Sequence, residues 1–182
     1  MAIRHADVLL FALAAPMMAA MAAPSQASTY RNGEYGVQAT VPDGLRTCPV
    51  LSWTHEHGIG IILDGGRDCH VKAKTAMSII ADYNVLWDDL AAIREALCKP
   101  DKTQHIVNAP DLPRLGGLPS AVCRRESGDG EVELQVLAVV GNPQDGIYYS
   151  AWLFTTEDRL DGDLPAFRDF LKAVHFFKPD NP

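Results

Sequence analysis

The side chains of this sequence best suited to chemistry are two histidines, His55 and His57, which follow Trp53. In an extended strand, side chains two residues apart point to the same face, so the two imidazoles could help to bind zinc or copper. Such a site needs further ligands, and His70, beside Cys69, is the nearest candidate. The alternative is that these are solvated loop histidines before a buried strand.

Acidic and hydroxyl side chains do not form a pattern typical of an enzyme. The sequence has no G-x-S-x-G motif, and Ser120 is interpreted as a turn residue that enters a strand. Asp88 and Asp89 would point in different directions on a helix, and a helix start explains their charge. Glu131 and Glu133 share a predicted strand face as its solvated side. We therefore expect a non-enzymatic protein.

The first 27 residues have the pattern of a secretory signal peptide. Arg4 precedes an apolar run over residues 8–23, and the small residues Ser25 and Ala27 precede the expected cleavage site before Ser28. A retained membrane anchor is the alternative, but the apolar run is slightly short for one. Because no later segment is long and apolar enough to span a membrane, we expect a periplasmic or secreted protein.

All four cysteines, Cys48, Cys69, Cys98 and Cys123, lie after the predicted leader. An even number in an exported chain indicates two structural disulfides, with a metal site or free thiols as the alternatives. Three pairings are open, and we favour Cys48–Cys69 with Cys98–Cys123 because each pair flanks one local unit. Each bond would stabilise the fold by roughly 3 kcal/mol.

The predicted fold is organised around a β-hairpin. Two strand-like runs flank the turn Ser-Gly-Asp-Gly at residues 127–130, and the second run, residues 131–140, is expected to be a central antiparallel strand. In that run Val132, Leu134 and Val136 alternate with polar residues. A further strand over residues 147–155 would complete a three-stranded meander.

Two helices are predicted between the runs of strands. Asn84 is the expected cap of the first, and Asp163 of the second, with Pro165 in its first turn. The apolar stripes are Leu86, Leu90, Ile93 and Leu97 in the first helix, and Leu164, Phe167, Leu171 and Val174 in the second. The order strands, helix, strands, helix predicts one α+β domain over residues 28–182, an antiparallel β-sheet covered by two main helices.

Aromatic side chains supply a candidate binding surface. Tyr148, Trp152 and Phe154 share one predicted strand face, and Trp87 stands off the apolar stripe of the first helix. Aromatic residues are common recognition anchors. The alternative is that they belong to the core, which is the more frequent role.

The stretch Tyr-Arg-Asn-Gly-Glu-Tyr-Gly-Val-Gln-Ala-Thr-Val-Pro at residues 30–42 resembles the start of small exported domains with the PsbP-like (DcrB-like) fold. The closing helix over residues 163–174, with Phe167 and Leu171, and the order of elements resemble that fold as well. The cysteines and the histidines around His55 depart from its general pattern. The resemblance implies this fold and a non-catalytic scaffold, and it transfers no functional residue.

Export, two disulfides and the lack of a catalytic pattern together predict a binding module for a protein partner. This chain would then be an inhibitor or immunity-type protein, and its partner would be an envelope protein or an exported toxin. A net charge of −7 without a basic run argues against nucleic acid and anionic membrane surfaces. The alternatives are a periplasmic metal-binding protein that uses His55 and His57, and a structural component of the envelope.

Overall fold

Strands dominate the structure, a computed structural model that describes residues 28–52, 55–65, 69, 74–84, 89–100, 102–141 and 146–180. The strands are β1 (Ser28–Asn32), β2 (Val37–Val41), β3 (Arg46–Ser52), β4 (His55–Ile62), β5 (Ala76–Tyr83), β6 (Gln104–Val107), β7 (Ser120–Ser127), β8 (Glu131–Val140), β9 (Ile147–Thr156) and β10 (Val174–Phe176). The helices are α1 (Leu90–Leu97) and α2 (Leu160–Ala173), and a 3₁₀ turn occupies Leu115–Gly117. The predicted leader, residues 1–27, lies outside the described residues.

The strands form two antiparallel sheets where the sequence predicted one. The large sheet has the order β3-β4-β5-β9-β8-β7-β6, and the small sheet has the order β1-β2-β10. The small sheet forms because β1 and β10 both pair with β2, which brings Val174 opposite Ala39. The predicted hairpin and meander are confirmed, since β8 lies between β7 and β9 and pairs with both.

The main core lies between one face of the large sheet and a second layer formed by α2 and the small sheet. Strand alternation turns Met77, Ile79, Leu134 and Leu153 of the large sheet into this core, and each is fully buried. The α2 residues buried there are Leu160, Leu164, Phe167, Phe170 and Leu171. The predicted apolar stripe of the second helix is therefore correct.

The first helix begins later than the sequence predicted. Its cap is Asp89, whose side chain accepts a hydrogen bond from the Ala92 amide at 2.8 Å. The predicted cap, Asn84, is instead buried at the end of β5, where its backbone N–H donates to the Gly146 carbonyl at 2.9 Å. In the described part of the chain, neither helix is long and apolar enough to cross a membrane.

The second helix begins earlier than the sequence predicted. Its first residue is Leu160, so Asp163 lies inside the first turn and is not the cap. The Arg159 carbonyl already accepts the amide of Asp163 at 3.0 Å, which closes the first helical turn. The Asp163 carboxylate accepts a hydrogen bond from the Thr155 hydroxyl at 2.6 Å and thereby ties α2 to β9.

The opposite face of the large sheet carries α1, which a buried arginine attaches to β7 and β8. Arg125 of β7 is only 6% exposed. Its guanidinium donates to the Leu97 carbonyl at 2.9 Å and to Gln135 at 3.3 Å, and it pairs with the Glu133 carboxylate at 3.0 Å. Because the last carbonyls of a helix lack partners within the helix, Arg125 satisfies one of them at the end of α1.

The polar side of β8 is less solvated than the sequence predicted. Gln135 is 1% exposed, and its amide donates to the Ser150 hydroxyl at 2.7 Å. Glu133 is also largely covered, because it faces Arg125. The strand pattern predicted which face these side chains occupy, but α1 covers that face.

The four cysteines form the pairs that the sequence favoured. Cys48 is bonded to Cys69 with a Cα–Cα distance of 5.6 Å, and Cys98 to Cys123 with one of 5.8 Å, both within the usual range. The second bond joins the end of α1 to β7, beside the contact of Arg125 with the same helix end. A covalent bond and a buried cation therefore hold α1 in place together.

Replacing Arg125 by methionine should lower the free energy of unfolding by about 2–3 kcal/mol, because the Leu97 carbonyl and the Glu133 carboxylate lose their partner. Urea unfolding followed by circular dichroism measures this change. Arg46→Met, at an exposed position of β3, is the control and should cost less than about 0.5 kcal/mol. Equal losses in the two variants would contradict the role given to Arg125.

Candidate functional site

Polar and aromatic side chains gather where the β1–β2 hairpin meets the end of β5. The group, called the tyrosine cluster below, consists of Glu34, Tyr35, His57, Asp82, Tyr83 and Tyr148. It contains two residues that the sequence singled out, the candidate metal ligand His57 and the candidate binding residue Tyr148.

The loop between β1 and β2 places Tyr35 at the centre of the cluster. Asn32 shapes this loop, since its side-chain oxygen accepts the Tyr35 amide at 3.2 Å and its amide group donates to the Glu56 carbonyl of β4 at 2.8 Å. The Tyr35 carbonyl accepts the buried Tyr149 hydroxyl at 2.5 Å. The Tyr35 side chain, 1% exposed, is thus fixed by its own backbone contacts to the large sheet.

His57 reaches the cluster through a β-bulge in β4. Gly58 and Glu56 pair with consecutive residues of β3, so His57 is an extra residue between them. Gly58 permits the bulge, because a Cβ atom there would lie 1.9 Å from the Ile79 carbonyl oxygen. The regular alternation from which the sequence placed His55 and His57 on one face is interrupted at this bulge.

The His57 ring is held by two neighbouring strands. Its Nδ1 lies 3.1 Å from the Ala81 carbonyl oxygen and 3.2 Å from the Tyr35 hydroxyl, and the Asp82 carboxylate is 3.9 Å away. In the tautomer that carries the hydrogen on Nδ1, the ring donates to the Ala81 carbonyl and Nε2 keeps its lone pair.

The cluster carries negative charge on its carboxylates and not on its phenols. Burial raises the pKa of Tyr35, and the nearby carboxylates of Glu34 and Asp82 raise it further. Burial and the same two carboxylates also raise the pKa of Tyr83, and burial together with Asp82 raises that of Tyr148. The three phenols therefore stay neutral at physiological pH and remain hydrogen-bond donors.

Tyr83 presents the cluster to solvent. Its side chain is 44% exposed, while its ring packs on that of Tyr35 with centroids 5.1 Å apart. Its hydroxyl lies 3.5 Å from the Glu34 carboxylate, and the Tyr148 hydroxyl lies 3.5 Å from that of Asp82. The outer surface therefore combines one supported aromatic ring with two nearby carboxylates, Glu34 and Asp82.

The other predicted aromatic anchors lie apart from this cluster. Trp152 is on the same strand face as Tyr148, as predicted, but it lies further along β9 and stacks on Phe154 with centroids 5.4 Å apart. The Arg125 guanidinium lies 4.8 Å from the Trp152 ring centroid. The predicted core role is therefore only partly correct, because both rings are incompletely buried and Phe154 is exposed. Trp87 lies outside the described residues.

The predicted metal site is only partly visible. The side chain of His55 and the whole of His70 lie outside the described residues. Over the described ranges, no three histidine, cysteine, aspartate or glutamate side chains lie close enough to hold a metal ion. The site of His55, His57 and His70 stays a prediction.

Sequence reasoning missed four members of the cluster, Glu34, Tyr35, Asp82 and Tyr83. Each lies in or beside a correctly predicted strand, but they come from separate parts of the chain. One signal was available, since Asp82 is a charged residue at the end of an otherwise apolar run in β5. Such a residue at a strand end is typical of a binding edge.

Comparisons with solved structures identify other proteins of similar structure. LpqN of Mycobacterium tuberculosis, a protein involved in cell envelope biogenesis, is similar with a TM-score of 0.55 and 15% identity over 82% of this chain and 90% of its own. Cyanobacterial PsbP (CyanoP) from Synechocystis sp. PCC 6803 is similar with a TM-score of 0.48 and 14% identity over 84% of this chain and 94% of its own.

No family model matches this chain, and no curated protein matches it either. At 15% identity, the likeness to LpqN shows a shared fold.

Gly58→Ala should destabilise the protein by about 1–3 kcal/mol, because the added Cβ forces apart β4 and β5 at the bulge that presents His57. Gly60→Ala is a matched control two residues along the same strand, where a Cβ would lie 3.6 Å from its nearest neighbour. It should cost clearly less. Urea unfolding of both variants measures the difference, and equal costs would show that the bulge does not depend on Gly58.

Proposed function

We propose that this chain is an exported, non-enzymatic binding module of the cell envelope that recognises a protein partner through the tyrosine cluster. The observation that carries the proposal is the Tyr83 ring, which is exposed but held against the buried Tyr35. Tyrosine is enriched among residues that dominate binding energy, since it offers a large contact area and loses little conformational entropy.

The carboxylates of the tyrosine cluster indicate which kind of partner surface it would bind. The Asp82 side chain is 46% exposed, and the Glu34 carboxylate lies 3.5 Å from the Tyr83 hydroxyl. A lysine or arginine of the partner would contact the ring face and a carboxylate at the same time. We therefore propose a partner surface that carries a basic side chain beside an apolar one.

Three further observations support an exported, non-enzymatic binding role. The Tyr35 hydroxyl, which contacts His57, belongs to a side chain that is 1% exposed, so it offers little access to a substrate. The leader pattern and two disulfides suit an oxidising compartment. LpqN, which has this fold, is involved in cell envelope biogenesis, and the envelope is the setting proposed here.

The test is affinity capture on the oxidised protein, residues 28–182, from envelope and secreted extracts of its own host. A stoichiometric partner is expected, and its affinity for Tyr83→Ala should fall by about 2 kcal/mol, roughly thirtyfold, because the ring is the proposed anchor. Surface plasmon resonance with the purified partner measures this change.

Phe154→Ala is the matched control, since Phe154 is also an exposed aromatic residue of the large sheet but lies at the opposite end of β9. Its affinity should equal that of the unmodified protein. A folded bait that captures nothing would overturn the proposal. A partner that binds Tyr83→Ala unchanged would remove the tyrosine cluster from it.

A periplasmic metal-binding protein is the second candidate. One observation favours it: Nδ1 of His57 lies 3.1 Å from the Ala81 carbonyl oxygen, and metal-bound imidazoles are commonly oriented by a hydrogen bond from the other ring nitrogen to a carbonyl. Nε2 would then be the ligand atom, with His55 and His70 as further ligands.

Calorimetric titration with zinc and copper tests this candidate. It requires micromolar binding that is lost in the His55→Ala/His57→Ala double variant. The His105→Ala variant is the control, because His105 is an exposed histidine of β6 outside the predicted site. Absence of binding, or binding that the double variant retains, would rule the candidate out.

A further inference from the structure

A short segment after β10 lies along the loop that joins β1 to β2. The Phe177 amide donates a hydrogen bond to the Gly36 carbonyl at 2.8 Å, and the Asp180 amide donates to the Gly33 carbonyl at 2.9 Å. Residues 177–180 are called the strap below, because they are bonded to the two glycines at the ends of this loop.

The strap lies so close to the loop that neither glycine has room for a side chain. A Cβ atom on Gly36 would overlap the Phe177 carbonyl oxygen, and one on Gly33 would overlap the Asp180 carboxylate. Gly36 also has a φ of +64°, which glycine adopts without strain. The sequence Gly-Glu-Tyr-Gly at residues 33–36 therefore fits a loop that the strap contacts at both ends.

Arg31 of β1 adds two contacts to the strap. Its guanidinium lies 3.6 Å from the centre of the Phe177 ring and 3.5 Å from the Asp180 carboxylate. The side chains of Arg31 and Asp180 are 50% and 61% exposed, so water and salt weaken their attraction. The described residues of the main core include none from the strap. Release of the strap therefore requires no loss of core packing, as is typical of local opening.

The strap restrains Glu34 more directly than it restrains Tyr35. The Gly33 carbonyl belongs to the peptide unit that joins Gly33 to Glu34, so its hydrogen bond from Asp180 fixes the backbone from which the Glu34 side chain extends. Tyr35 is held independently, since its own amide and carbonyl groups have other partners. Release of the strap would thus free Glu34, while the Tyr35 ring would stay packed on Tyr83.

We propose that the strap regulates the tyrosine cluster: the bound strap positions Glu34 for a basic side chain of the partner, and release of the strap weakens binding. The inference rests on the proposed function of the cluster, in which Glu34 and Asp82 supply the negative charge. A carboxylate on an ordered backbone loses less freedom when it pairs, so the form with the bound strap has the higher affinity. Tyr83 remains as an anchor in both forms.

The first experiment needs no partner. Backbone ¹⁵N relaxation of the oxidised exported protein gives the order parameter of Glu34, which should be about 0.85 and should fall below about 0.6 in a variant that lacks residues 177–182. Ile79, fully buried in β5, should keep its order parameter in both proteins, which shows that the domain stays folded. An unchanged order parameter at Glu34 would overturn the proposal.

Asp180→Pro is a milder variant, because it keeps residues 177–179 and removes the N–H group that donates to Gly33. Asp180→Ala is its matched control, since it removes the same carboxylate but keeps the N–H group. The order parameter of Glu34 should fall in Asp180→Pro and stay near that of the unmodified protein in Asp180→Ala. The proposal does not survive equal order in these two variants.

The second experiment measures affinity for the captured partner by surface plasmon resonance. Asp180→Pro should bind at least about fivefold more weakly than Asp180→Ala. When each is combined with Glu34→Ala, the two strap variants should bind equally, because the strap acts through Glu34. A difference that persists without the Glu34 carboxylate would give the strap a general structural role and overturn the proposal. Equal binding of the two strap variants with Glu34 in place would overturn it as well.

These outcomes distinguish failure of the strap from failure of the proposed function. If the unmodified protein captures no partner, the proposed function fails and the regulation of binding fails with it, even where Glu34 loses order without the strap. If a partner binds and depends on Tyr83 but not on the strap, only the role of the strap fails.

Discussion

The buried guanidinium of Arg125 is the interaction on which the second face of the sheet depends. A buried cation is tolerated only when its charge and its donors are satisfied, and here a helix carbonyl, a carboxylate and an amide oxygen do so together. Two of these partners belong to β8 and the third to α1. The arrangement therefore specifies where the helix lies on the sheet.

The packing of the β1–β2 loop is the constraint that organises the other face of the large sheet. The β1–β2 loop must satisfy its backbone groups where it meets the large sheet, and it does so through the Asn32 side chain, which accepts the Tyr35 amide, and the Tyr149 hydroxyl, which donates to the Tyr35 carbonyl. The Asn32 amide in turn donates to the Glu56 carbonyl of β4. Tyr35 is buried as a result, and the exposed Tyr83 acquires a firm support. The same contacts that join the two sheets thus create the proposed recognition surface.

Local patterns in the sequence predicted the elements whose partners are close along the chain. The β7–β9 meander and the buried stripe of α2, with Phe167 and Leu171, follow from alternation and helical spacing. The small sheet did not, because Val174 and Ala39 pair although they lie near opposite ends of the domain's sequence. The solvation of Gln135 was misjudged for the same reason, since α1 covers it from another part of the chain.

Local sequence patterns predicted even less of the candidate site. His57 and Tyr148 were singled out by residue type, but nothing local indicated that Tyr35 and Asp82 would join them. A single extra residue at the bulge also shifted the alternation on which the histidine pair was predicted. The β-bulge in β4 depends on a close approach of two backbones at Gly58. A prediction that assumes strict alternation along a strand does not detect such a bulge.

The Cys98–Cys123 bond has a mechanical consequence for the space between α1 and β7. Cys98 at the end of α1 and Cys123 of β7 both line this space, so the two surfaces are covalently joined and their separation is fixed. Reduction of this one bond would leave the end of α1 held by the Arg125 contacts and by packing around the buried Ile93, so the helix would be less firmly positioned against β7.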